Sequence, residues 1–151
     1  MEWTRSKKSI WLFHRALQPM SVHPAPTNPP PEATPMKTFL AIYTGSPESM
    51  EQWKSLDAST REAREKTGKA AWMEWATTHA NDIVDLGHPL GKTKRMTSAG
   101  ITDIRNAMAA YTVVQADSHE AAARLFENHP HFAIFPGDGV EVMECLPIPE
   151  M

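Results

Sequence analysis

With 151 residues, 41% of them hydrophobic and 22% charged, the chain has the size and composition of one globular domain able to bury a core. Its single cysteine, Cys145, excludes an internal disulfide framework and metal ligation by cysteine pairs, and makes a reducing cytoplasm the expected address. No apolar run approaches the roughly 18 residues a membrane-spanning helix needs, and residues 36–151 carry sixteen acids against eleven Lys and Arg, an acidic balance that argues against nucleic acid as partner.

Residues 1–35 hold seven of the thirteen prolines and read as a Pro-rich lead with little apolar surface to bury. Arg5 to Leu17 begins basic and turns apolar like an export signal, but His14 and Arg15 cut that run short. Trp11, Leu12 and Phe13 suit a short docking helix, and Met36 is an equally reasonable first residue for the working domain. The domain itself is expected over residues 36–151.

Thr38 to Tyr43 is a run of strand formers closed by the turn Thr44-Gly-Ser-Pro47. Met50, Trp53 and Leu56 then recur at helical spacing, and good helix formers continue from Ala58 to Ala80, with Gly68 as the weak point and Trp72, Met73, Ala76 and Ala80 as the anchoring face. Ile83 to Met96 predicts an irregular second strand, broken by Gly87, Pro89 and Gly91, and Thr97 to Ala110 a loop or hairpin. Tyr111 to Ala116 predicts a third strand. Asp117-Ser-His-Glu120 has the form of a capping box for a helix whose buried stripe is Ala122, Leu125, Phe126 and His129, stopped by Pro130. A last strand follows over Val140 to Leu146, with Cys145 expected to be buried.

Strand, helix, strand, strand, helix, strand is the α+β order of the ferredoxin-like split β-α-β fold (βαββαβ). Two helices can cover only one face of its sheet, and both faces of the first and third strands are apolar. The expected cover for the other face is a second copy, making the protein a homodimer.

Two stretches in particular, Tyr111 to Pro130 and Asp138-Gly-Val-Glu-Val-Met143, resemble the YCII-related proteins, and Lys37 to Tyr43 and Gly87-His-Pro-Leu-Gly-Lys-Thr93 fit the same pattern. The resemblance spans most of residues 36–149 and implies a dimeric α+β barrel with a cleft in each subunit, but no single reaction. Some relatives carry a His and Asp pair near the first helix; Leu56 to Glu62 has no histidine, so that pair does not transfer. Nor does the Asp-Gly-Pro-Phe segment of other relatives, replaced here by Ser98 to Asn106.

Histidines are the most suggestive residues for chemistry. His88 precedes Lys92, Lys94 and Arg95, so an anionic small molecule could meet an imidazole and several cations there. His131 follows His129 across Pro130; His88 and His131 are the candidate catalytic residues, and His129, at the end of its predicted helix, is expected to have its protonated form favoured by the helix dipole. Trp72, Trp75 and His79 lie at i, i+3 and i+7 and could wall a ligand cleft, with Lys94, Asp103, Arg105 and His129 as further ligand-binding candidates. Each has a plainer reading as core, cap or solvated edge strand. His-Pro-His lacks a third ligand at any metal-binding spacing, so no metal or other cofactor is expected. The functional expectation is a small cofactor-free enzyme or small-molecule binder with its cleft between sheet and long helix; the alternative is a non-catalytic dimeric module that binds a ligand or protein.

Overall fold

The computed structural model describes residues 28–32 and 34–151, and the chain divides into two units, Met1–Glu32 and Ala33–Met151. Residues 28–32 are exposed and irregular. The export signal and the Trp11 to Phe13 helix considered above lie outside the described residues.

The second unit is a mixed α+β structure. Its main sheet is built from β1 (Lys37–Thr44), β2 (Ile83–Asp85), β5 (Met108–Ala116) and β6 (Gly139–Glu144) in the order β2-β5-β1-β6, with every neighbouring pair antiparallel. Alternation along β1 sends Phe39, Ala41 and Tyr43 to one face, opposite Val114, Thr112 and Ala110 of β5. On that face, side chains of α2 (Ala58–Thr78) and of α3 (His119–Arg124) with the turn after it close the core: Trp75, Ala122 and Phe126 pack with Phe39, Ala41, Tyr43, Val114 and Ala116. Phe39 and Tyr43 are fully buried, and burial of one such side chain stabilises the fold by about 1.5–3 kcal/mol. The opposite face carries Leu40, Ile42, Tyr111 and Val113 in register, flanked by Met143, which is 44% exposed.

The predicted single helix after β1 is two helices. α1 (Pro47–Lys54) is capped by Ser46 and ends at Ser55, and Asp57 begins α2 by accepting from the Thr60 N–H and from the Ser59 and Thr60 hydroxyls. Those three bonds hold the Asp57 carboxyl well below its usual range. The buried stripe of α2 runs through Trp72, Trp75, Ala76 and His79, whereas Met73 is 64% exposed. Gly68 has a packing reason: a Cβ there would lie 2.5 Å from the Phe135 ring.

Residues 83–110 keep the hairpin that is one of the two expected readings of Thr97 to Ala110 but begin it earlier, inside the predicted irregular strand. β2 is only three residues long, and β3 (Thr93–Thr97) with β4 (Gly100–Ile104) forms a separate two-stranded hairpin. β5 begins at Met108, three residues earlier than predicted.

The helix expected to run to Pro130 also breaks. Its N-cap is Ser118 rather than Asp117, since the Ser118 hydroxyl accepts from the Ala121 N–H, and regular helix ends at Arg124. Asn128 takes φ +53°, and His129 then caps α4 (Pro130–Ala133), with Pro130 at a helix start where its missing N–H costs nothing. His129 is therefore at a helix N-terminus, the end that disfavours its protonated form, and not at the C-terminal end expected from the stripe. β6 stops at Glu144, and Cys145 is exposed because it lies beyond the last strand. Among the described residues, no helix is long and apolar enough to cross a membrane.

Candidate functional site

The sequence candidates separate into a buried aromatic cluster, a cleft at the sheet edge and a cationic groove along the hairpin. The buried cluster centres on His129, which is fully buried among Tyr43, Trp72, Trp75 and Phe126. Its Nδ1 accepts the His131 backbone N–H at 3.1 Å, so the proton sits on Nε2, which has no hydrogen-bond partner among the described residues. The imidazole stands nearly perpendicular to both indoles, 86° to Trp72 at 4.6 Å and 77° to Trp75 at 4.5 Å, an edge-to-face packing. Burial, and secondarily the neighbouring His131 and His79, push His129 down to about 3. It is neutral at physiological pH.

Trp75 also serves the core, its indole N–H donating to the Leu125 carbonyl at 2.7 Å. His131 is 8% exposed and its Nε2–H donates to the Thr44 carbonyl at 2.7 Å, bolting α4 to the end of β1. Burial lowers its pKa, with the Thr44 carbonyl and Asp138 acting in the opposite sense. A side chain at Gly137 would collide with this imidazole, so the loop before β6 closes on His131. His79 caps the end of α2 and lies 3.6 Å from the Asp82 carboxylate.

The cleft is a cavity of about 220 Å³ between α2 and the β5 edge, lined by Trp72, Leu86, Gly87, His88, Pro89, Ala110 and Tyr111. Gly87 makes it possible: it sits at φ +73°, and a Cβ there would collide with the Tyr111 carbonyl oxygen. The Asp85 carboxylate accepts the Gly87 N–H, Pro89 bridges to Ala110, and His88 is exposed with its ring 6.4 Å from that of Tyr111. A hydroxyl relay fixes the wall from within. Thr112 Oγ1–H donates to the Leu86 carbonyl at 2.9 Å, so the 3.0 Å contact between Thr112 and Tyr43 has the Tyr43 O–H as donor. Burial outweighs that Thr112 bond and pushes the Tyr43 phenol up to about 12.

Trp72 and His88 thus share the cleft, whereas Trp75, His79, His129 and His131 do not line it. Lys94, Asp103 and Arg105 lie together on the hairpin groove, where Lys94 and Asp103 form an exposed 2.7 Å ion pair. Tyr111, Leu86 and Gly87 escaped the sequence reading as wall residues; the Gly before His88-Pro89 was their only signal. Among the described residues, no three His, Cys, Asp or Glu side chains converge as metal ligands would. Compared with protein-family models and with curated proteins, the sequence matches none.

Proposed function

We propose that residues 36–151 form a homodimeric, ferredoxin-like α+β barrel of the YCII-related kind, acting in the cytoplasm as a small-molecule binder through the Trp72–His88–Tyr111 cleft. The observation that carries this reading is the cleft itself: Trp72, Tyr111 and an exposed His88 line a preformed, largely apolar cavity, the usual make-up of a ligand pocket. The strand order β2-β5-β1-β6 supports the split β-α-β topology, and the outer sheet face, where Leu40 and Val113 are half-buried and Met143 is 44% exposed, supports pairing with a second copy. The acidic domain supports a partner other than nucleic acid.

Binding is favoured over catalysis by how the histidines are used. His129 and His131 spend ring nitrogens on structural hydrogen bonds, which leaves His88 as the one imidazole on the cleft among the described residues. As an enzyme, the domain would use His88 as its general acid or base with no cofactor. Native mass spectrometry of protein purified from its own host tests the proposal. A dimer with a reproducible small-molecule adduct is expected, and the adduct should disappear in Leu86→Trp, which fills the cleft from its exposed wall. A monomer refutes the barrel, and an adduct that survives Leu86→Trp refutes the site.

A further inference from the structure

A second set of cavities, sharing no lining residue with the cleft, meets at Arg105. Along the hairpin, a groove of about 740 Å³ is lined by Lys92, Lys94, Asp103 and Arg105 among others. A neighbouring cavity of about 450 Å³ is lined by the same Arg105 together with Lys54, Glu51, Pro47, Met50 and Met108 among others. Charge is unevenly distributed between this region and its surroundings. Residues 92–105 carry four cations against one acid, although the domain is acidic as a whole.

The cations are not equally available. Lys94 is paired with Asp103 at 2.7 Å and Lys54 with Glu51 at 3.6 Å, whereas Arg105 and Lys92 have no ion-pair partner among the described residues. The backbone that presents Arg105 is held on both sides. Asn106 donates its side-chain N–H to the Thr93 hydroxyl at 3.2 Å and accepts the Met108 N–H at 3.0 Å, and the Gly45 N–H donates to the Ala107 carbonyl at 2.9 Å. An unpaired guanidinium on a fixed turn, with a second free cation on one side and two thioethers on the other, is complementary to a molecule with an oxyanion head and an apolar tail. Arginine's planar fork suits a carboxylate or phosphate, and methionine adapts to apolar tails of varied shape.

We propose that Arg105 anchors a small organic oxyanion, its head between Arg105 and Lys92 and its apolar tail against Met50 and Met108. The site is independent of the Trp72–His88 cleft and stands or falls separately from it. The test is titration of hexyl phosphate, hexanoate and neutral hexanol into the isotope-labelled full chain, followed by amide, guanidinium and methionine-methyl NMR shifts. Either anion should shift Arg105, Met50 and Met108 in a saturable way while hexanol does not. Arg105→Met should weaken binding at least tenfold, and Arg64→Met, a cation change elsewhere, should leave it unchanged. Arg105 is exposed, so its variant is expected to fold, and an otherwise unchanged amide spectrum checks this. Equal response to hexanol, equal affinity in Arg105→Met, or shifts confined to His88 and Tyr111 would each overturn the proposal.

Discussion

Acidification should destabilise this protein through His129 before it protonates most carboxylates. An unfolded histidine titrates near 6.5, whereas burial holds folded His129 near 3. A group whose folded pKa is depressed in this way favours the neutral protein: its effect is absent above pH 6.5 and grows as pH falls toward 3, because only the unfolded chain can take up the proton. Each pH unit below 6.5 costs about 1.4 kcal/mol, so the loss at pH 4.5 is about 3 kcal/mol, a large share of a typical 5–15 kcal/mol stability. His131 is displaced in the same direction and steepens the slope. Urea titrations at pH 7.5, 6.5, 5.5 and 4.5, at one protein concentration and read by tryptophan fluorescence, measure the effect. His129→Asn keeps an acceptor for the α4 cap and removes the titration. It should be less stable than the parent at pH 7.5 yet lose less on acidification. Parallel losses in the two proteins between pH 6.5 and 4.5 would refute the reasoning.

Three further outcomes follow from the packing. Gly87→Ala should lose about 3 kcal/mol, combining a strained positive φ with a collision against the Tyr111 carbonyl; calorimetry reads it, and a neutral result would show that the loop moves freely. Gly68→Ala should lower the melting temperature, although glycine to alanine in an open helix gains about 1 kcal/mol, because the methyl meets the Phe135 ring; a rise would mean that Phe135 swings away. Thr112→Val should cost about 2 kcal/mol by leaving both the Tyr43 hydroxyl and the Leu86 carbonyl without partners, and Tyr43→Phe only about 1 kcal/mol. Equal costs in chemical denaturation would remove the relay from the account.

β1 and β5 were the legible part of the fold, because both are short apolar runs dense in β-branched and aromatic residues, whereas β2 and the β3–β4 hairpin lie in a stretch with little periodicity. Helix breaks were not legible either, since they turn on single caps. Asp57 looks like any acid between two helical stretches until its three hydrogen bonds are seen, and the Ala122 to His129 spacing fits one helix as well as the helix, turn and second helix present. Among the site candidates, Trp72 and His88 meet because Gly87 folds its loop onto Tyr111, a contact between positions 24 residues apart that no local pattern encodes. His129 was noticeable for its chemistry, but periodicity could suggest only that it is buried and not which ring nitrogen would lack a partner.

The relay from Tyr43 through Thr112 to Leu86 bears on how the cleft moves. Loops usually open on their own, exchanging their amide hydrogens far faster than the core beneath them. Here the loop's first carbonyl is bonded to a side chain in the centre of the sheet, and the Tyr111 N–H is bonded to the His88 carbonyl at 3.3 Å. Opening the cleft wall therefore uncovers two buried hydroxyls, and amide exchange at Tyr111 should approach the rate set by global unfolding. A ligand entering such a site meets a wall already in place, so its association should be governed by diffusion and desolvation and not by the opening of a gate.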